Sequence, residues 1–213
     1  MTLVKWITCS VDAGNRDRFS AAQQRWSVIA AEPGLVAQVG AWDQARSEAC
    51  ILGCWTDKSA YQAFMSGRHD DVAERSGQRG TYQGMEIATG ESLLTIPGHA
   101  DTLADAVSRG VLLRVADCRV RPGRHEHFTA VQRDIWIPGM AAADGMLGGL
   151  FSQLGEDRYL VTTWWSSVQA HHRYSTADVS GLRRRAAADE DIAELRGHAL
   201  ILQPEWRIQP SAA

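Results

Sequence analysis

The chain has 213 residues, 45% of them hydrophobic and 22% charged, enough for one large domain or two of about 100 residues that each bury a core. A formal net charge of −3 excludes a global field that would gather nucleic acid or an anionic membrane. No run approaches the ~20 apolar residues of a membrane span, and Arg183-Arg184-Arg185, the one dense basic run, reads as a solvated helix face.

Polar residues interrupt every apolar run between Met1 and Cys9, so the start does not read as a secretion signal and the expected location is the cytoplasm. Residues 3–11, apolar and β-branched, read as a strand that ends in a turn at Gly14. A helix follows over 16–31. Phe19, Ala22, Gln23, Trp26, Ile29 and Ala30 recur on it at helical spacing and make one face. Pro33-Gly34 breaks the chain. Strands are expected at 35–42 and 49–55, then a helix from Asp57, a good N-cap, and a strand at 81–88. Residues 90–110 form a connector broken by Pro97-Gly98, with a short helix at 101–108 capped by Asp101. The order then returns: strand 111–120, turn at Pro122-Gly123, helix 124–137, break at Asp144-Gly145, strands 146–153 and 159–164, helix from Ser166, strand 199–208.

The residues repeat as well as the elements. At an offset of 109, Cys9, Val11, Gly14, Phe19, Ala21 and Gln23 match Cys118, Val120, Gly123, Phe128, Ala130 and Gln132, where chance gives about one identity. The same offset pairs Trp55 with Trp164. Gly34-Leu35-Val36 aligns with Gly145-Met146-Leu147 after a two-residue insertion. Each half has the β-α-β-β-α-β order of a ferredoxin-like unit. Helices cover only one face of such a sheet, and a second copy is the natural cover for the other. The expected fold is therefore α+β: two ferredoxin-like units, 1–92 and 111–213, fused through a linker at 93–110. Their sheets would pack face to face as an intrachain dimeric α+β barrel. Such a chain would be a monomeric pseudo-dimer or a homodimer.

Four cysteines are present: Cys9, Cys50, Cys54 and Cys118. Cys50 and Cys54 share one expected strand, about 13 Å apart. That is too far for a common zinc, with bonds of about 2.3 Å, or for a disulfide, so reduced, buried thiols are expected.

The first half resembles the YdbC-like domain family. The residues that carry the resemblance are Val4-Lys5-Trp6-Ile7-Thr8-Cys9, Gln23-x-x-Trp26, Gly34-x-x-x-Gln38-x-Gly40-x-Trp42, Ala49-Cys50-Ile51-Leu52-Gly53-x-Trp55, Tyr61-x-x-Phe64-Met65, His69-Asp70 and Gln78-x-x-x-Tyr82. By element order the whole chain resembles the antibiotic-biosynthesis-monooxygenase superfamily of dimeric α+β barrels. That resemblance implies one of several activities: cofactor-independent oxidation of phenolic or anthrone-like compounds, haem breakdown, isomerisation or decarboxylation. Fold alone does not choose among them. Haem-degrading members use an Asn on the first strand, where this chain has Ile7, which disfavours that activity. The second half departs from the pattern: Gln38 becomes Gly149, His69 becomes Asp178, and Trp42 has no clear equivalent. The resemblance therefore implies chemistry in the first half, with the second as lid and scaffold.

His69-Asp70 is the sharpest catalytic candidate. A histidine exchanges protons near neutral pH, and Asp70 would orient its ring. The structural alternative is a polar helix end, because a histidine near a helix C-terminus is favoured by the dipole. Gln23, Trp26, Gln38, Trp42 and Tyr82 are expected to line a ligand pocket, with indoles and amides suited to a flat aromatic compound; core packing is the competing role of the tryptophans. Gln38 and Trp42 alternate to the same face of one strand. His125-Glu126-His127 and His171-His172 lack the i, i+4 spacing of a helical zinc site, so no metal is expected. No phosphate loop or Gly-x-Ser-x-Gly elbow is present. The expected function is a small-molecule enzyme without a cofactor, oxidising or moving a proton on an aromatic metabolite. The alternative is a non-catalytic carrier or sensor of a small hydrophobic ligand.

Overall fold

Alternating apolar residues and glycine turns build the same unit twice. The computed structural model describes residues 1–210, which divide into two compact units: Met1–Glu91 together with residues 202–210, and Ser92–Ile201.

In the first unit, β1 (Leu3–Ser10) leads to α1 (Arg16–Gln24). A 3-10 turn over Arg25–Ala31 continues α1 where the sequence predicts one longer helix. Strands β2 (Leu35–Asp43) and β3 (Glu48–Trp55) follow, then α2 (Lys58–Ser66), α3 (His69–Ser76) and β4 (Gly84–Ile96). The strand order β2-β3-β1-β4 is that of a ferredoxin-like sheet, every pair antiparallel. Asp57 caps α2, accepting the Ala60 N–H at 2.9 Å. Gly34, at φ +78°, must be glycine: a Cβ there would lie 2.4 Å from Ala60 Cβ.

The second unit repeats the order: β5 (Leu112–Val120), α5 (His125–Val131), a π-helical turn (Gln132–Trp136), α6 (Ile137–Ala141), β6 (Met146–Gln153), β7 (Arg158–Trp165), α7 (Val168–Ala177), α8 (Val179–Arg185), α9 (Ala188–Asp191) and β8 (Ile192–Ile201). Its strands run β6-β7-β5-β8. Gly145, at φ +81°, mirrors Gly34, with Ala170 in the place of Ala60.

Several boundaries differ from the sequence reading, each for a local reason. The predicted second helix of the first unit is two helices, because the chain turns at Gly67 and Arg68, whose N–H groups close α2 on Ala63 and Phe64. The last strand of that unit starts at Gly84, not 81, because Thr81 is held in a turn by two bonds to Gln78 O. The last strand of the second unit is Ile192–Ile201, not 199–208. Pro204 opens a 3-10 turn, Pro204–Trp206, and the returning chain pairs with β2 of the first unit, Ile208 N–H to Gln38 O at 2.8 Å. Between Gly110 and the end of β4, a short helix, α4 (Leu103–Arg109), is capped by Thr102 rather than Asp101. Ser167, not Ser166, caps α7.

The repeat register also moves. Leu3 and Leu112 stand opposite Trp55 and Trp165, so the counterpart of Trp55 is Trp165 and not Trp164. The offset is 109 at Gln23/Gln132, 111 at Gly34/Gly145 and 110 at Trp55/Trp165: two residues are gained before the second strand and one is lost in the following hairpin.

Between helices and sheet, Ile29, Trp55, Phe64 and Val72 form the first core; Phe128, Phe151, Tyr159, Trp165 and Tyr174 form the second. All four cysteines are buried free thiols. Burial pushes Cys9, Cys54 and Cys118 up to about 12, which keeps them unreactive. No helix among the described residues is long and apolar enough to cross a membrane.

Candidate functional site

The second unit holds a cavity of about 210 Å³ between its sheet and helices. Arg114, Ala116 and Cys118 alternate along β5 and present one face to it. Thr163 stands opposite Arg114 on β7. Phe128, Trp136, Met140 and Tyr174 supply apolar and aromatic wall, and Gln132, Thr163, His171 and Arg114 the placed polar groups. This mixture is that of a small-molecule site. A π-helical turn, Gln132–Trp136, carries both Gln132 and Trp136 in the lining; such turns recur at functional sites.

Arg114 is the fixed charge of the cavity. Its Nη1 donates to His198 O at 3.1 Å and to Val115 O. Gly197 makes room for it, since a Cβ there would lie 2.8 Å from Nη2. Burial, the Arg114 charge and neighbouring His172 bring the pKa of His171 down to about 4, so the imidazole is neutral at pH 7. Burial pushes the Tyr174 phenol up. The His171 ring stands edge-on to Trp165, with centroids 5.3 Å apart, and Trp165 lies 5.1 Å from Tyr174. Together these groups offer a neutral base, a cation for a developing oxyanion and a hydroxyl amid aromatic walls.

The residues predicted from the sequence lie in the first unit, in three places. Gln23 and Trp26 are joined through Gln78, whose Nε2–H donates to Gln23 Oε1 at 2.8 Å and whose Oε1 accepts the Trp26 indole at 2.9 Å. His69 packs beside them, 5.8 Å from Trp26 and 5.7 Å from Phe64. Its Nδ1 lies 2.8 Å from Asp70 Oδ1, with the histidine side chain 20% and the aspartate 98% exposed. His69 opens α3 instead of closing a helix, so the dipole explanation for a histidine there does not apply. Trp42 and Tyr82 join a second cluster with Phe19 and Trp206. There Trp42 has Trp206 at 5.3 Å and the Arg16 guanidinium 4.9 Å above its ring. Gln38 is apart from both, its backbone paired with Ile208.

Of the histidine runs, His127 Nδ1 lies 2.7 Å from Asp191, which is fully buried and also accepts from Arg124 Nε at 2.7 Å; this ties α5 to α9. The sequence reading missed Arg114, Thr163 and His171. The available signal was substitution within the repeat: at an offset of 110, Tyr61 and Phe64 become His171 and Tyr174, and Gly53 becomes Thr163.

Residues 3–89 match the family model "Domain of unknown function (DUF4937)". The chain is 32% identical over 92 residues to the uncharacterized protein YdbC of Bacillus subtilis (strain 168), a match covering 42% of this chain and 77% of YdbC. Over its full length the fold resembles that of a monooxygenase candidate from Lactobacillus acidophilus NCFM, with a TM-score of 0.74, 12% identity and 100% and 98% of the two chains covered. It also resembles an anthrone oxidase-like protein, with a TM-score of 0.65, 14% identity and 95% and 91% coverage. These likenesses establish the ferredoxin-like α+β fold, and a fold does not by itself fix an activity.

Proposed function

We propose that this chain, which belongs through its first unit to the DUF4937 family that includes YdbC, is a cofactor-independent enzyme that oxidises a small aromatic metabolite. The carrying observation is the second-unit cavity, where neutral His171 and cationic Arg114 share an aromatic enclosure. The fold likeness to an anthrone oxidase-like protein names the substrate class to try first. His171 would take a proton from the acidic carbon of an anthrone-type substrate, and Arg114 would stabilise the oxyanion of the resulting enolate. The carbanion reduces dioxygen; the peroxide adduct then loses water to leave a quinone carbonyl, so one O2 is consumed and one water released per substrate. A small-molecule ligand, a cytoplasmic location and action as a monomer or homodimer complete this reading.

In the first unit, His69 with Asp70 is an acid–base pair of the same kind. Its ring is packed against Trp26 and Phe64, whereas the second unit offers volume beside its base, so the chemistry is assigned there. The test is oxygen uptake with anthrone as probe. Uptake matched by anthraquinone, lowered 10²–10⁴-fold in His171→Phe, supports the assignment. Oxidation no faster than in buffer rejects it, and tight anthrone binding without uptake makes the protein a carrier.

A further inference from the structure

The run Arg183-Arg184-Arg185 is not one solvated helix face. Val179 and Arg183, a turn apart on α8, both line the second-unit cavity, and Arg184 does not. Among the described residues, that lining holds two groups charged at neutral pH, Arg114 and Arg183, and no carboxylate. The Arg183 side chain is 53% exposed, so it stands where the cavity meets solvent. Its guanidinium is held from one edge: Nε donates to Asp189 Oδ1 at 3.0 Å and Nη2 donates to the same oxygen. Nη1 has no partner among the described residues. Asp189 lies on α9, which is anchored by the fully buried Asp191 between Arg124 and His127. Ala188 and Ile192, on either side of that anchored stretch, also line the cavity. The rim cation is therefore fixed in advance, which lowers the ordering cost of a ligand that uses it. At the offset of 110 that aligns Tyr61 with His171, the first unit has Ala73 in the place of Arg183.

We infer that Arg183 is a specificity determinant of the second-unit cavity: it takes a carboxylate carried on the ring system of the ligand, which makes that ligand an aromatic acid. Asp189 occupies one edge of the planar guanidinium and leaves the Nη1 edge for an incoming carboxylate, a geometry that arginine suits better than lysine. The rings of such a ligand would lie among Phe128, Trp136 and Tyr174. A neutral ligand of the same shape would bury the same apolar surface and bring no counter-charge to a lining that is cationic throughout. The inference rests on the ligand site proposed above and narrows its substrate from anthrones in general to anthrone carboxylic acids.

The test is calorimetry on the full chain with 2-naphthoate and 2-naphthamide, which share a shape and differ in charge. The wild type is expected to bind the acid about fivefold more tightly than the amide, or better. Arg183→Gln should remove most of that preference and leave the affinity for the amide unchanged. Arg184→Gln makes the same change in net charge one residue away, outside the lining, and should keep the preference. An exposed ion pair adds little stability, so both variants should fold, which their circular dichroism verifies. Equal affinity for acid and amide in the wild type, binding of neither, or the same loss of preference in both variants overturns the inference. Neither ligand is oxidised, so the result is independent of turnover. Oxygen uptake with anthrone but no preference for the acid would sink this inference and leave the oxidation; an Arg183-dependent preference without uptake would do the reverse.

Discussion

The Trp165 indole donates its N–H to Thr163 Oγ1 at 2.9 Å, both side chains being fully enclosed. The bond is local, two residues along one strand, and it fixes the ring that packs on His171 and Tyr174. Thr163→Val keeps shape and volume nearly unchanged but leaves the indole N–H without an acceptor in the core. A buried donor so orphaned costs about 1–3 kcal/mol. Chemical denaturation should show that loss, with Thr163→Ser recovering most of it. Equal stability of the valine variant would mean that the indole finds another acceptor.

Gln78 connects two side chains expected to meet a ligand. It satisfies both Gln23, 2% exposed, and Trp26. Gln78→Leu removes both bonds at once and leaves the Gln23 amide buried without its partner, a cost of about 2–3 kcal/mol. The double variant with Gln23→Leu should be less destabilised than the sum of the two singles, because it removes the orphaned amide too. Additive losses in that cycle would show that the two amides are not coupled.

Fold and site were legible in the sequence to different degrees, for physical reasons. The βαββαβ order could be read because each element carries its own local signal: Asp57 as a cap, Gly34 and Gly145 at left-handed turns, alternating apolar residues in β3. Boundaries set by tertiary contact could not. Leu202 and the residues after it look like the end of a strand, yet Pro204 turns them toward the edge of β2, and Gly40 is small because the Trp206 ring lies where a Cβ would be, 2.7 Å away. The candidate site suffered more. The conspicuous residues His69, Trp42 and Gln23 are conspicuous because they are large or polar, and large residues fill space. Cavities are made by what is small or shifted, as at the π-helical turn that ends on Trp136 in the lining. Arg114 drew no notice because it sits mid-strand, and only pairing with Lys5 across the repeat marks it as a retained cation on the helix-covered face.

Lys5 predicts a pH dependence of stability. Burial brings its pKa down to about 8 in the folded chain from an ordinary value of 10.5. Between those values the unfolded chain binds more protons, so the stability of the wild type should rise from pH 8 to pH 10.5. Below pH 8 the full penalty for the buried charge applies. Lys5→Met should therefore stabilise the protein at pH 7, by on the order of 1–3 kcal/mol, and flatten that alkaline rise. Denaturation midpoints of both proteins at pH 7 and pH 10 decide the matter. A less stable Lys5→Met protein at pH 7 would show that the ammonium is compensated in solution.

His171 gives the complementary acid-side prediction. Burial, Arg114 and His172 lower its folded pKa to about 4 from an ordinary value of 6.5. Across that window the unfolded chain takes up a proton that the folded chain refuses, so stability falls as pH drops from 6.5 to 4 and the contribution then levels off. His171→Phe removes the term. Its stability should exceed that of the wild type increasingly toward pH 4, by about 1–3 kcal/mol after allowance for partial solvent contact. Arg114→Met removes one of the charges that repel the imidazolium and should raise the His171 pKa, measurable from the ¹³C-labelled imidazole shifts. In a catalytic assay the same variant should move the acid limb of the rate profile to higher pH, because the base must stay unprotonated to act. If the imidazole titrates at the same pH with and without the guanidinium, the two groups do not share the cavity electrostatically, and the pairing of base and oxyanion partner on which the proposed oxidation rests would fail.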